Sequence, residues 1–185
     1  MNQEINLHSK YIIRPINFGD EKKILSVALN SWLYTYSDIY TKKTIEEFVN
    51  RNYSANKLLN IIEDQNSGLT LFLIVEEISN MNIIGFAQIG FDNYWIAPTE
   101  KIIDSIIRLF RIYLDPIHIG LGIGSSLLIE VEKFVIKNNQ SSYIVGVHKS
   151  NIKAINFYKK NGFKEFFSNN FKEINNDEID LIKKI

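Results

Sequence analysis

The sequence contains no cysteine and only three histidines among its 185 residues. Without cysteine there is no disulfide, no thiolate-bound metal and no cysteine acyl-enzyme. The histidines at positions 8, 118 and 148 show no metal-binding spacing, so we expect no metal site. No apolar run is long enough to span a membrane, and residues 1–12 carry no targeting pattern. These absences predict a soluble cytoplasmic protein without a membrane partner.

The sequence also lacks an excess of either charge, because 21 Lys and Arg balance 21 Asp and Glu. A net charge of zero argues against a nucleic-acid partner. The distribution is uneven, however: residues 1–100 carry 8 basic and 12 acidic side chains, and residues 101–185 carry 13 and 9. An acidic first half suits a cationic partner. A chain of this length with 45% hydrophobic residues predicts one domain, residues 1–185.

The segment 102–137 predicts a strand, a glycine loop and a helix, in that order. Residues 102–114 are apolar, β-branched and aromatic, and Asp115 and Pro116 end the run. Glycines then occupy positions 120, 122 and 124. Apolar residues at helical spacing follow: Leu127, Leu128, Val131, Phe134 and Val135.

A glycine loop before a helix can gather backbone N–H groups around a phosphate. On spacing alone, ordinary turn chemistry is an equally good explanation. No Lys-Ser/Thr follows the last glycine, and the spacing differs from G-x-G-x-x-G, so a Walker A loop and a dinucleotide fingerprint are excluded.

Two motifs in the second half resemble the acetyl-CoA segments of the GNAT superfamily of N-acetyltransferases. The first is I-Y-L-D-P at 112–116 with H-I-G-L-G-I-G-S at 118–125. The second is N-x-x-A-x-x-F-Y-x-x-x-G-F at 151–163. One position departs from the family pattern, since Ile119 stands where Gln or Arg is usual.

The resemblance implies a fold, a donor and a set of binding residues. The fold is mixed α/β, with a mostly antiparallel seven-stranded sheet that is flanked by helices and splayed between strands 4 and 5. The donor is acetyl-CoA, from which acetyl passes directly to a primary amine. The implied CoA-binding residues are Ile112, Tyr113, Leu114, Ile119, Gly120, Leu121, Gly122, Ile123, Gly124, Ser125, Asn151, Ala154 and Tyr158.

The same resemblance gives Tyr158 the role of general acid towards the CoA thiolate and makes the N–H of Leu114 the oxyanion donor. Each assignment has a simpler structural alternative: Tyr158 packs beside Phe157, and Asn151 caps a helix. A general base is harder to assign, because residues 108–112 of the fourth strand include no carboxylate. A water chain would then have to take the proton, or an acidic residue of the first half at position 38, 46 or 47, although caps and solvated helix faces explain these residues more simply.

The amine acceptor is suggested by residues 31–40, S-W-L-Y-T-Y-S-D-I-Y, which resemble a segment of PaiA-type acetyltransferases acting on spermidine and spermine. Trp32, Tyr36 and Tyr40 would present aromatic faces to a polycation. Aromatic packing between helix and sheet explains them equally well. The alternatives to a polyamine acetyltransferase are an N-terminal peptide acetyltransferase and a CoA-binding module without catalysis. A homodimer is compatible with any of these.

The remaining elements follow from apolar patterns and caps. We predict helices that begin with Asp20, with a Thr44–Glu47 capping box and with Ser54, and a lip-like loop at 92–100. The predicted strands are 11–16, 69–77, 83–91, 143–147, 163–171 and 179–185. The last predicted helix is 151–161.

Overall fold

The fold is known from a computed structural model, which describes residues 10–92, 106–166 and 177–185. Five helices lie in these ranges: α1 Glu21–Tyr36, α2 Lys42–Asn52, α3 Ala55–Asn66, α4 Ile123–Lys137 and α5 Ile152–Lys160. The strands are β1 Tyr11–Pro15, β2 Thr70–Glu77, β3 Ile83–Asp92, β4 Ile106–Leu114, β5 Ser142–His148, β6 Lys164–Glu165 and β7 Glu178–Lys184.

The strands form one seven-stranded sheet in the order β1-β2-β3-β4-β5-β7-β6. The pairs β1–β2, β5–β7 and β6–β7 are antiparallel, whereas β4 and β5 are parallel, with Arg108 opposite Ile144. The mixed sheet with flanking helices confirms the predicted fold class. The prediction of a single domain remains a prediction, because the chain divides into two compact units.

The first unit comprises residues 1–88 and 111–130. Its apolar core joins α1, α2 and α3 to β2 and β3, because each helix turns one apolar stripe inward. The buried members of this core are Ile16, Ile24, Val27, Ala28, Ile45, Val49, Tyr53, Leu58, Ile62, Phe72, Ile74, Ile83 and Phe86.

None of the three caps predicted in this unit forms as expected; Ser54, for example, does precede α3 but makes no side-chain capping hydrogen bond. Helix α2 begins earlier than the Thr44–Glu47 capping box required: Thr41 is the N-cap, and its hydroxyl accepts from the N–H of Thr44. The capping-box prediction is therefore wrong. Asp20 does precede α1, but its carboxylate makes no capping hydrogen bond. It accepts instead from Arg14 and from the N–H of Asn17, because a guanidinium within reach is the stronger donor.

The second unit comprises residues 89–110 and 131–185. In it β7 pairs along the whole of β5, from Ser142 opposite Lys184 to His148 opposite Glu178. Arg108 bridges Asp92 and Asp180, with N–O distances of 2.8 and 3.2 Å. These ion pairs tie three strands of this unit together.

Some predictions fall wholly or partly outside the described residues. They are the lip at 93–100, the start of the fourth strand at 102–105 and most of the strand expected at 163–171. Among the described residues no helix is long and apolar enough to cross a membrane.

Candidate active site

The glycine loop of the first unit connects a short 3₁₀ turn, Pro116–His118, to α4. Gly120 and Gly122 have φ angles of +89° and +82°, a conformation that favours glycine. A Cβ added at either position would meet no protein atom within 4 Å. The alternating glycines are therefore needed for backbone conformation, and the space beside them is open.

Backbone donors in this loop are available to a ligand. Among the described residues, the N–H groups of Gly120, Leu121 and Gly122 find no hydrogen-bond acceptor. The first bond of α4 runs from the N–H of Ser126 to the carbonyl of Gly122, so the N–H groups of the first helical turn also lack helical partners. Successive free donors at a helix N-terminus suit a pyrophosphate.

Asp115 fixes the start of the glycine loop through hydrogen bonds. Its backbone N–H donates to the carbonyl of Ile84 over 2.8 Å, and its carboxylate accepts from the N–H of Ile117 and from the amide of Asn30. Ile119, at the position that departs from the family pattern, is 51% exposed and offers a ligand no side-chain donor. At this position the loop therefore offers a ligand backbone groups only.

The end of β4 contains Ile112, Tyr113 and Leu114, all partly buried. Gly85 of β3 lies against this end: a Cβ there would come within 3.0 Å of the Tyr113 carbonyl oxygen and would collide with the Leu114 side chain. The position of the last β4 residues thus depends on the absence of a side chain at position 85.

The three aromatic residues assigned to the acceptor lie together in the first unit. The ring of Trp32 is 4.7 Å from that of Tyr36, which is 6.2 Å from that of Tyr40. The Trp32 ring also lies 4.1 Å from that of Phe48, tilted by 31°, and 6.5 Å from that of Tyr113. The row begins at an exposed residue, since Tyr40 is 37% exposed, and ends at the half-buried Trp32.

A group of polar side chains at the inner end of this row was not found from the sequence. The guanidinium carbon of Arg111 lies 4.9 Å from the ring centroid of Tyr53, and Tyr53 is 6.3 Å from Tyr113. Nη1 of Arg111 and Nε1 of Trp32 are both buried without a hydrogen-bond partner among the described residues. A signal in the sequence is the spacing of Arg111 and Tyr113, which places both on one face of β4.

The phenols in this group are perturbed by their surroundings. Burial raises the pKa of Tyr53, although the charge of Arg111 and hydrogen-bonding groups nearby act in the opposite direction. Burial likewise raises the pKa of Tyr113 well above its usual value, and the neighbouring Tyr53 adds to the effect. Both phenols are therefore protonated and uncharged at neutral pH.

In the second unit, α5 carries the residues of the downstream motif. The side chain of Asn151 accepts from the N–H of Ala154 over 3.0 Å, so it does cap this helix. Tyr158 is buried, with 5% exposure, and its ring lies 5.2 Å from Phe157 and 5.1 Å from Phe163. The packing alternative thus holds for the ring, and the role of the hydroxyl stays a prediction.

The carboxylates considered as general bases lie on surfaces. Asp38 is exposed, and Glu46 and Glu47 face Lys42 and Lys43 one helical turn away, at 3.7 and 3.9 Å. Such pairs are typical of a solvated helix face. In the described ranges there is also no cluster of three or more His, Cys, Asp or Glu that could hold a metal.

Comparison with known proteins gives a consistent result. Residues 30–163 match the family described as acetyltransferase (GNAT) family. The chain is 34% identical over 152 residues to the spermidine N(1)-acetyltransferase of Thermoplasma acidophilum, covering 82% of this chain and 87% of that protein.

Solved structures of acetyltransferases resemble this fold. The crystal structure of a PaiA N-acetyltransferase from T. acidophilum in complex with coenzyme A superposes with a TM-score of 0.78 and 31% identity, over 95% of this chain and 99% of that one. A GNAT-family acetyltransferase from Staphylococcus aureus, 18% identical, has a TM-score of 0.68 over 94% of this chain and 98% of that one. The second likeness concerns the fold alone.

Proposed function

We propose that this chain, which belongs to the acetyltransferase (GNAT) family, transfers acetyl from acetyl-CoA directly to a primary amine of a polyamine. Family membership makes the protein an N-acetyltransferase with acetyl-CoA as its donor, as the two sequence motifs predict. The polyamine is the proposed part. The observation that carries it is the identity of 34% to a protein named for spermidine acetylation.

Two features of the chain support a polycationic acceptor. The aromatic row of Trp32, Tyr36 and Tyr40 begins at the surface and offers ring faces to ammonium groups. Residues 1–100, which include this row, are acidic in sum. Attraction of this kind weakens with salt, because the Debye length falls from about 10 Å at 0.1 M to about 3 Å at 1 M ionic strength.

The proposed reaction needs an uncharged amine, a stabilised oxyanion and a proton for the leaving thiolate. The amine nitrogen attacks the thioester carbon, a C–N bond forms, and the C–S bond breaks. We assign the oxyanion to the N–H of Leu114 and the proton for sulfur to the Tyr158 hydroxyl. The nitrogen gives up its surplus proton to water, so acetylated amine and CoA thiol are the products.

Donor binding is assigned to the glycine loop, with residues 119–125 around the pyrophosphate. The free N–H groups of Gly120, Leu121 and Gly122 support this assignment. Ile112, Tyr113 and Leu114, together with Asn151, Ala154 and Tyr158, complete the proposed set of contacts with CoA. We propose that the reaction takes place in the cytoplasm and that the protein has no nucleic-acid partner. Light scattering will distinguish a monomer from a homodimer.

An acceptor panel tests the proposal. Purified protein, acetyl-CoA and one amine are incubated, and free CoA thiol is measured against a blank without acceptor. We expect the highest kcat/KM with spermidine or spermine, and a fall in apparent affinity as salt rises. A higher kcat/KM for a peptide with a free N-terminus would overturn the polyamine assignment and favour a peptide acetyltransferase.

Variants connect the panel to the aromatic row. Tyr40→Ala removes its exposed end, and we expect a higher KM for spermidine with little change for acetyl-CoA. Phe18→Ala is the matched control, because Phe18 is an aromatic with 69% exposure outside the row. Equal KM values in the two variants would remove the row from the acceptor site.

A further inference from the structure

Arg111 is a partly buried cation without an ionic partner in the described part of the chain. Its Nη1 is buried without a hydrogen-bond partner among the described residues, and none of their carboxylates forms an ion pair with the guanidinium. Buried charges are normally paired, because an isolated one is costly. By contrast, Arg14 and Arg108 each bridge two carboxylates. The charge of Arg111, which has no ionic partner among the described residues, therefore needs a functional explanation.

The groups facing Arg111 do not cancel its charge. The C-terminal end of α2 contributes Tyr53, under the guanidinium, and β4 itself contributes Tyr113. Both phenols are uncharged at neutral pH, since burial raises their pKa values. Helix α1 contributes the Trp32 indole, whose buried N–H is a donor, and β3 contributes Phe86, 5.5 Å from the Tyr113 ring. These four neighbours are neutral, so the guanidinium of Arg111 is the source of positive charge in this group, which we call the electropositive site.

This electropositive site lies at the inner end of the aromatic row. From Tyr40 at the surface the rings of Tyr36 and Trp32 follow, and Trp32 contacts Tyr113, which contacts Tyr53 beneath Arg111. An amine that enters along the row therefore arrives beside a fixed positive charge. An ammonium is repelled there, whereas an uncharged amine is not.

We propose that Arg111 keeps the attacking nitrogen of the acceptor uncharged by repelling the proton that would make it an ammonium. This inference rests on the proposed function. The ammonium releases its proton to water, and the lone pair that remains forms the bond to the thioester carbon. Electrostatic repulsion thus performs the task that a carboxylate on β4 would perform as a base, and β4 has no carboxylate.

The size of the effect follows from Coulomb's law. Two positive charges about 6 Å apart in an effective dielectric of about 20 repel strongly enough to lower the pKa of the bound amine by about 2 units. A primary amine with an ordinary value near about 10 would then be neutral about a hundred times more often at pH 7. Partial screening by water makes a shift of about 1 unit the practical expectation.

The test is the pH dependence of kcat for spermidine in four proteins. Arg111→Met removes the charge and keeps an unbranched side chain, and Arg111→Lys keeps the charge. Arg51→Met is the matched control, because Arg51 also lies over an aromatic ring, Phe48 at 5.9 Å, but is exposed. Profiles are measured over about pH 6 to 10, and thermal melting checks the folding of each variant.

We expect the rising limb of the Arg111→Met profile to move up by about 1 pH unit, with kcat about 10-fold lower at pH 7 and close to wild type at high pH. Arg111→Lys and Arg51→Met should keep the wild-type midpoint. A folded Arg111→Met enzyme with the wild-type midpoint overturns the inference. So does a loss of the same factor at every pH, which is the signature of a structural role.

Failure of the proposed function gives a different result. If wild-type protein does not acetylate spermidine but acetylates another amine of the panel, the polyamine assignment falls. The four profiles are then measured with that amine, since the repulsion acts on any ammonium. If no amine releases thiol, both proposals fall together. If Arg111→Met does not fold, Arg111→Lys decides, because its midpoint must equal that of the wild type.

Discussion

Gly85 of β3 faces the backbone of Tyr113 in β4, and a Cβ at position 85 would lie 3.0 Å from the Tyr113 carbonyl oxygen. The same Cβ would collide with the side chain of Leu114. Glycine at position 85 therefore sets how closely β3 approaches the end of β4. That end carries Leu114, to which the oxyanion is assigned, and is followed by Asp115, which anchors the glycine loop.

The first prediction is that Gly85→Ala reduces both stability and turnover. Overpacking at this contact should cost about 1 to 3 kcal/mol in the free energy of unfolding. Urea denaturation and steady-state kinetics measure the two effects. Leu114→Ala in the Gly85→Ala background removes the nearest obstructing atom, so the cycle should show coupling of at least about 0.5 kcal/mol. Strict additivity of the two changes would contradict the contact.

The second prediction concerns Gly122, whose φ of +82° a β-branched residue adopts only with strain. Gly122→Val should weaken CoA binding by about 10-fold or more, because a strained αL residue costs about 1 to 3 kcal/mol and the loop will relax away from it. Since the added Cβ meets no protein atom, the loss comes from backbone conformation and from the space reserved for the ligand.

The control for this change is Gly68→Val. Gly68 has a φ of +78° and equally open surroundings, but it follows α3 and lies outside the loop. Calorimetry with CoA should show normal affinity for the Gly68 variant and reduced affinity for the Gly122 variant. A folded Gly122→Val protein that binds CoA as well as the control would disprove the assignment of the pyrophosphate to this loop.

Local signals in the sequence explain why the succession of β4, glycine loop and α4 could be predicted. The apolar residues of α4 that were predicted to face inward, Leu127, Leu128, Val131, Phe134 and Val135, are all buried, whereas Ile129 between them is exposed. Such a periodic pattern can be recognised within one short stretch of sequence. The start of α2 was missed for the same local reason: Thr41 and Thr44 are chemically equivalent as caps, and the choice between them depends on the path of the chain after α1.

The Arg111 group could not be predicted, because its members are far apart in the sequence. Trp32, Tyr53 and Tyr113 meet only when α1 and α2 pack on the sheet. Each has an ordinary explanation when taken alone, as a helix aromatic, a helix-end aromatic and a strand aromatic. What makes this group unusual is that the buried Nε1 of Trp32 and Nη1 of Arg111 find no acceptor among the described residues, and hydrogen-bond satisfaction is a property of the folded chain.

The third prediction is that Tyr158→Phe lowers turnover and leaves CoA affinity nearly unchanged. Removing only the hydroxyl keeps the ring against Phe157 and Phe163. General acid catalysis typically contributes about 10²- to 10⁴-fold, and a thiolate is a tolerable leaving group, so a loss near the lower value is expected.

Tyr143→Phe is the matched control in the same aromatic cluster. Tyr143 is buried, contacts Phe163 and donates its hydroxyl to Glu132, and burial together with that carboxylate raises its pKa. Its loss should lower the melting temperature and leave kcat unchanged. If Tyr158→Phe also had the wild-type kcat at every pH, Tyr158 would be a packing residue only.

The last prediction uses the ion pair of Asp20 with Arg14, in which two guanidinium nitrogens lie 2.8 and 3.0 Å from the carboxylate oxygens. Burial alone would raise the pKa of Asp20, but the hydrogen bonds from Arg14 and from the N–H of Asn17 outweigh it and hold the pKa below its usual value. A carboxyl whose pKa is lower in the folded than in the unfolded chain stabilises the fold above the unfolded value, about 3.9. That contribution is lost as the pH falls through the folded value.

Asp20→Asn should therefore lower the free energy of unfolding by about 2 kcal/mol at pH 7, the usual worth of a hydrogen bond to a charged group. The difference from wild type should shrink as the pH falls below about 4, because the carboxyl of the unfolded chain takes up its proton first and that of the folded chain follows at a lower pH. Urea denaturation at several pH values measures it. Asp38→Asn, at an exposed position, should change stability by less than about 0.5 kcal/mol throughout. A difference between wild type and Asp20→Asn that stays constant into acid would show that Asp20 acts through packing and not through its charge.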